Sequence, residues 1–202
     1  MYEIAEHLGP VARELLAAWS RLPKNDLVPD RKSFDPMAII RILPVVSIIE
    51  RTSDEIWRFR LVGTEIERRW GRKLTGCDCL EVVSPEAAKI TRQELIETVG
   101  WPCGSRSQRR VAFHSGRVGA VETLRLPLRA ADGAIRLVLS CSGELREQSP
   151  AVTDERREIV MITDHRYFDI GAGCPPNSAI EAAAKAGRLG YLAMPSAPAG
   201  TS

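Results

Sequence analysis

Gly76-Cys77-Asp78-Cys79 is the sharpest chemical feature of the chain, because two thiols one residue apart can bind a metal or change redox state. Two thiolates fill only half of a tetrahedral zinc site, so Cys103 would have to join them. Without that third thiol, Cys79 reads as a small buried hydrophobe. The other titratable groups are scattered. The histidines are His7, His114 and His165, and His114 falls at a strand end, where a surface or edge position is expected. Arg106, Arg109, Arg110 and Arg117 form a local basic cluster whose guanidinium forks match phosphate geometry. The same charges suit the solvated face of an edge strand, where they prevent further pairing, and that reading is the better one. Asp164-His165 lacks the oxyanion loop and nucleophile turn that would place it in a hydrolytic triad.

Composition sets the frame. With 202 residues, 44% of them hydrophobic, the chain can form one compact domain plus arms or two very small domains. A net charge of +2 creates no global field calling for nucleic acid or an anionic membrane. The five cysteines, Cys77, Cys79, Cys103, Cys141 and Cys174, are odd in number and irregularly spaced, which argues against a secreted disulfide scaffold. The start, Met1 to His7, is acidic and lacks the apolar core of a signal peptide. The longest apolar run, Ile42 to Ile49, is broken by Pro44 and too short to span a bilayer. A cytoplasmic protein is expected, with no membrane insertion and no nucleic-acid partner.

The elements that must position these groups are set by periodicity. Glu6 to Leu22 predicts an amphipathic helix with Leu8, Val11, Leu15, Trp19 and Leu22 on one stripe. Its partner is either the domain's own sheet or a second copy of the chain. Leu8, Val11, Leu15 and Trp19 are therefore the interface candidates, Trp19 foremost. Asp35-Pro36 starts a short helix over Met37 to Leu43, which stops at Pro44. Val45 to Arg51 is β-branched and predicts a strand, paired through a turn at Ser53-Asp54-Glu55 with a strand from Trp57. In that second strand Trp57, Phe59 and Leu61 alternate with Arg58 and Arg60, so one face is buried. Gly63 ends it, and Ile66 and Trp70 share one side of a small helix. Pro85 to Gly100 is a longer helix, capped by Ser84 and anchored by Ile90, Leu95 and Val99. Trp101 to Ser105 reads as a loop. Three strands come next, over Arg109 to His114, Gly119 to Leu128 and Ala134 to Gly143, the last two joined at Ala131-Asp132-Gly133. Pro127 predicts a bulge or an unpaired position. The grouping is α+β rather than a parallel βαβ fold. Beyond Pro150 the pattern weakens. Ile159 to Ile162 is a short strand or helix, Ala179 to Arg188 is helical, and the tail is expected to be disordered. The expected division is 1–33 for the amino-terminal helix and connection, 34–146 for the domain, and 147–202 for a partly disordered extension.

An ordered series of short motifs resembles a family. It comprises Asp35-Pro36, Leu43-Pro44, Phe59-Arg60-Leu61-Val62-Gly63-Thr64, Gly71, Leu74-Thr75-Gly76, Leu126-Pro127-Leu128 and the Asp132-Gly133 turn. Together they resemble the short, mostly stand-alone bacterial PAS proteins called the PAS_5 family, over roughly residues 12 to 145. The resemblance implies a five-stranded antiparallel sheet cupping a few helices, and a role in sensing or signalling. It carries over no set of functional residues.

The same resemblance tests the cofactors. In light-sensing PAS domains a glycine lies three before a cysteine that attacks flavin, and Cys79 is similar in place. Here Asp78 replaces the preceding asparagine, Leu80-Glu81-Val82-Val83 replaces the motif after the cysteine, and the paired asparagines that hold the ring are missing. Haem-sensing relatives offer an iron ligand from the helix beside the pocket, and Pro85 to Gly100 has no histidine. Arg106 and Arg109 have the spacing of one cyclic-di-GMP-binding family, but its partner motif is absent. Flavin, haem and metal are thus each disfavoured, and no cofactor is assigned. The expected function is a sensory or regulatory module, not an enzyme. Its cavity candidates are Phe59, Leu61, Ile66, Trp70, Cys79, Phe113, Leu126 and Leu139, with a small-molecule ligand, a signalling protein partner or a homodimer as associates. With no kinase, cyclase or DNA-binding segment attached, output is expected to pass through another protein. The alternatives are a cup-shaped isomerase or hydrolase, which would need a buried acid–base pair that the inward strand faces are not expected to carry, and a ligand-free adaptor.

Overall fold

The computed structural model describes residues 2–24, 26–83, 85–112, 118–145, 159–176, 178, 180 and 192–193. Phe113, His114 and Arg117 lie outside the described residues, as do Ser84 and most of the helix expected over 179–188. Strands β1 (Val46–Arg51), β2 (Trp57–Val62), β3 (Cys103–Ala112), β4 (Val118–Arg129), β5 (Ile135–Leu145), β6 (Ile159–Asp169) and β7 (Leu192–Ala193) form the order β2-β1-β5-β4-β3-β6-β7. Every pairing is antiparallel. The helices are α1 (Pro10–Arg21), α2 (Thr64–Trp70) and α3 (Pro85–Gly100).

The α1 stripe is spent inside the chain. Leu8, Leu15 and Trp19 are buried against β4 and β5, and Val11 packs beside them close to Gly143. Trp19 Nε1 donates to the Pro127 carbonyl at 2.9 Å, which satisfies an indole that burial would otherwise leave unpaired. The interface expected of these residues is therefore with the chain's own sheet, not with a second copy.

Local chemistry explains the departures from the expected elements. Asp35 Oδ1 accepts from Met37 N at 2.9 Å, as a helix start should. The segment it opens is not one helix but two 3₁₀ turns, Pro36–Ile39 and Leu43–Val45. Ile39 and Ile42 are buried three residues apart, the period of the tighter turn. Gly63 is needed for close approach, since a Cβ there would stand 2.3 Å from the carbonyl oxygens of Leu43 and Pro44. The loop expected at Trp101 to Ser105 is already strand from Cys103. Its polar residues give no apolar alternation, but β4 and β6 both pair with it and override composition. Gly104 faces Phe168, whose ring would lie 2.0 Å from any Cβ there. The irregularity expected at Pro127 falls one step later, between Leu128 and Arg129.

All five expected strands are present, and β6 continues the sheet from the segment expected to be largely an extension. Strand β3 is thereby internal, which overturns the reading of its arginines as a solvated edge. Both faces of the sheet are covered. On one, α1 packs on Val46, Ile48, Leu124, Leu126, Leu137 and Leu139. On the other, α2, α3 and the turn through Cys79 form a cup over Ile49, Trp57, Phe59 and Val138. Because Leu15 is fully buried in the first of these cores, Leu15→Ala should cost about 2–5 kcal/mol in urea unfolding, with the m-value unchanged.

Candidate functional site: a buried carboxylate between two guanidiniums

Helix α3 buries more than its apolar anchors. Thr91, Glu94 and Thr98 recur at helical spacing and are all buried, Glu94 at 0% exposure. Thr98 Oγ1 donates back to the Glu94 carbonyl at 2.8 Å, which leaves the glutamate side chain to the sheet. Pairing register brings the sheet residues to it. Ser47, Ser140, Arg125, Ser105 and Tyr167 lie directly across from one another on β1, β5, β4, β3 and β6. Ser142, Thr123, Ser107 and His165 form the next row. These alternate with Leu124, Leu126 and Leu139, which point to α1, so the floor of the cup is polar.

Glu94 Oε2 accepts from Arg109 at 2.6 Å and forms an ion pair with Arg125. Ser105 Oγ donates to Oε1 at 3.2 Å, and His165 Nε2 lies 3.4 Å from the same oxygen. His165 also meets the Tyr167 ring edge-on, with centroids 4.7 Å apart. Burial alone would raise the Glu94 pKa, but Arg125 and Arg109, joined by His165, override it and hold the carboxyl well below its ordinary value. Burial, with Arg125 adding to it, pulls Arg109 down to about 10 against the attraction of Glu94. Burial pushes the Tyr167 phenol upward, reinforced by the charge of Glu94, so it stays protonated. A carboxylate held this far down is a poor proton acceptor at neutral pH. The arrangement suits recognition and fixed charge rather than proton transfer.

The expected cavity residues divide between the two faces. Phe59, Ile66 and Cys79 are buried in the cup cluster, and Trp70 packs against it. Leu126 and Leu139 are buried on the α1 side, and Leu61 packs there too. The split between Phe59 and Leu61 comes from a bulge. Ile48 pairs with Leu61 and Ile49 with Phe59, so Arg60 is extra and the alternation is broken. The cup thus holds a buried carboxylate and histidine where none was expected. The reason is physical: with both faces covered, the more apolar face went to α1, and the face that looks wet in the sequence lies inside.

The other candidates have structural duties. Arg106 and Arg109, three apart on a strand, point to opposite faces and cannot grip one phosphate. Arg106 pairs with Glu122 at 2.8 Å and Asp164 at 2.5 Å on the α1 side, where Glu122 Oε2 also accepts from Gly9 N at 2.8 Å. Asp164 and His165 likewise part to opposite faces. The Cys79 thiol is pushed up to about 12 by burial, as is that of Cys141. Asp78 Oδ1 takes the amides of Trp57, at 3.3 Å, and Leu80, at 3.0 Å, so it shapes the turn rather than a metal shell. Among the described residues no three His, Cys, Asp or Glu side chains are grouped to hold a metal ion.

An antiparallel sheet whose first five strands run in the order 2-1-5-4-3, with small helices cupped on one face, is a PAS fold. The chain belongs to the PAS_5 family, whose model, described as a PAS domain, matches residues 9–142. Solved structures similar to it include VqmA of Vibrio cholerae in complex with a ligand and DNA, at TM-score 0.46 and 15% identity over 56% of this chain and 51% of that one. The PAS domain of Bordetella pertussis BvgS is similar at TM-score 0.43 and 20% identity, over 54% of this chain and 84% of that one. An RNA-binding light-oxygen-voltage receptor is similar at TM-score 0.42 and 15% identity, over 60% and 35% of the two chains. The match covers about half the length of VqmA. No curated protein matches the chain.

Two measurements probe the site. Because Glu94 is depressed in the folded chain, its contribution is fully present above its ordinary value of 4.5 and is lost as pH falls toward its own lower value. Unfolding free energy should therefore decline below that pH. Glu94→Gln should make the decline shallower and cost about 3–5 kcal/mol, because it leaves two buried guanidiniums without their anion. In alkylation of the folded chain, half-buried Cys77 should react about tenfold faster or more than Cys79 and Cys141, and denaturant should abolish the difference.

Proposed function

We propose that this PAS domain is a non-enzymatic sensory or regulatory module that receives a small ligand between α3 and the sheet and passes the change to a protein partner. The observation that carries this reading is the Glu94 cluster. One helical side chain is held at once by β3, β4 and β6, so a ligand that alters those contacts must shift α3 against the sheet. The shift requires different affinities for the two arrangements. The far half of α3 offers a route outward. Glu97 Oε2 accepts from Ser178 Oγ at 2.9 Å, and Trp101 Nε1 donates to the Ala172 carbonyl at 2.9 Å. The segment after β6 is thus tied to the helix that a ligand would move.

The membership of a sensory family supports this reading, as does the low basicity of Glu94. An enzymatic alternative draws on the Glu94–His165 contact, yet the two arginines make that glutamate a fixed anion rather than a base. A cytoplasmic setting accords with the irregular cysteines, and no helix among the described residues is long and apolar enough to cross a membrane. A homodimer, if formed, would use a surface other than the α1 stripe.

Native mass spectrometry and an absorption scan of the purified chain test the proposal. The expected result is a small added mass that disappears on denaturation. A bare chain that also shows no thermal stabilisation across a metabolite library would instead make it a ligand-free adaptor.

A further inference from the structure

Helix α3 rests on an incomplete polar seat. Glu94 takes Arg109, Arg125, Ser105 and His165, yet the buried Arg125 Nε and His165 Nδ1 make no hydrogen bond with the described residues. A buried polar network that is only partly satisfied holds a helix less firmly than a complete one. Two ties from outside the seat reach the carboxyl end of α3. Glu97 Oε2 accepts from the buried Ser178 Oγ at 2.9 Å, and Trp101 Nε1 donates to the Ala172 carbonyl at 2.9 Å. Both partners come from the segment after β6, and that segment is built to be stiff. Asp169 Oδ1 closes its turn by accepting from Gly171 N at 2.6 Å and Gly173 N at 2.7 Å. Gly171 and Gly173 hold φ values of 125° and 82°, a region that side chains disfavour. Pro175 and Pro176 fix two more φ angles. The root of the segment lies on the other side of the sheet. Ile170 is buried in the α1-side core, and a Cβ at Gly171 would stand 2.4 Å from Leu27. The segment thus joins the α1 layer to the end of the helix on the opposite face.

We propose that residues 170–176 with Ser178 are a latch on α3. Rooted in the α1-side core, they hold the carboxyl end of the helix on the sheet, and their release frees that end while α1 and the strands stay folded. The inference goes beyond the receptor reading and does not depend on a ligand, since both ties exist in the bare chain. The placing of the ties makes them a latch. The amino-terminal half of α3 is held separately, by Arg92 on the Glu55 carboxylate at 2.5 Å and on the Glu55 carbonyl at 3.1 Å. The middle rests on Glu94. The last turn, from Glu97 to Trp101, is held by Val99 in the apolar cluster and by the two ties to this segment. One of those ties ends on a carboxylate, so losing both should shift a local opening equilibrium by about tenfold or more.

The test is amide hydrogen exchange of the full chain at neutral pH, set beside a double variant, Trp101→Phe with Ser178→Ala. Loss of both ties should speed exchange over 95–100 by about tenfold or more and change α1 and β5 by less than about twofold. A smaller rise in α3, or a comparable one in α1 and β5, would overturn the proposal. Should the variant fail to fold, the unaltered chain still decides. In sub-denaturing urea the amides of 171–174 and of 95–100 should open together while α1 stays protected. Opening of α3 only along with α1, or of either segment without the other, would sink the latch.

Discussion

Burial of Glu94 is the constraint around which the rest of the structure is arranged. A carboxylate at 0% exposure under a helix costs several kcal/mol unless opposite charge and hydrogen bonds meet it. Three strands share that task. Strand β4 brings Arg125, β3 brings Arg109 and Ser105, and β6 brings His165. Those partners are aligned only in the register observed, since a slip of one residue would turn each of them to the other face. A buried polar network of this kind is directional and favours one seating of the helix, where leucines would accept several. It also explains why β6 belongs to the body of the fold: without that strand, His165 and the outer pairing of β3 would both be missing.

A second ionic clamp stands behind the first. Arg106, Glu122 and Asp164 lie on the α1 side of the same three strands, and Glu122 also holds the amide of Gly9 at the entry to α1. That amide is one of the groups a helix start leaves unpaired. Each face of the sheet therefore ties its helix through buried charge borne by β3 and β4, and the alternation of a strand sends neighbouring arginines to opposite duties. Arg106 and Arg109 of the local basic cluster thus serve two separate half-sites, and the two do not form one phosphate grip.

Much of the fold was legible because its signals are local. The Asp35-Pro36 start, the Pro85–Gly100 helix and the β1–β2 hairpin are all marked by caps, prolines and β-branched runs. The site was less legible because it depends on what covers each face. Thr123, Arg125, Ser105 and Ser107 look like the wet side of ordinary half-exposed strands, while Leu124, Leu126 and Leu139 look like a cavity wall. Alternation distinguishes two faces but cannot say which one a helix will cover when both are covered. One signal was available. Thr91, Glu94 and Thr98 share the buried side of α3, and only a polar floor can receive such a stripe. The Arg60 bulge gave no comparable signal, since nothing in Phe59-Arg60-Leu61 marks where the alternation breaks.

The two clamps also bear on where a change in the cup can travel. The α1 face is sealed by leucines and by the Arg106 group, and close-packed interiors of this kind do not deform continuously. Helix α3 differs in that charged contacts of Glu94 stand beside the apolar anchors Leu95 and Val99 in seating it. Moving a two-state equilibrium from one extreme to the other takes roughly 5.5 kcal/mol of differential binding, which is the scale of a buried ion pair made or broken. On the proposed reading, α3 is the part that would move, and the sheet with α1 the part that stays fixed. Since Glu97 and Trp101 carry α3 onto Ser178 and Ala172, the segment beyond β6 is where such a motion would first reach the surface.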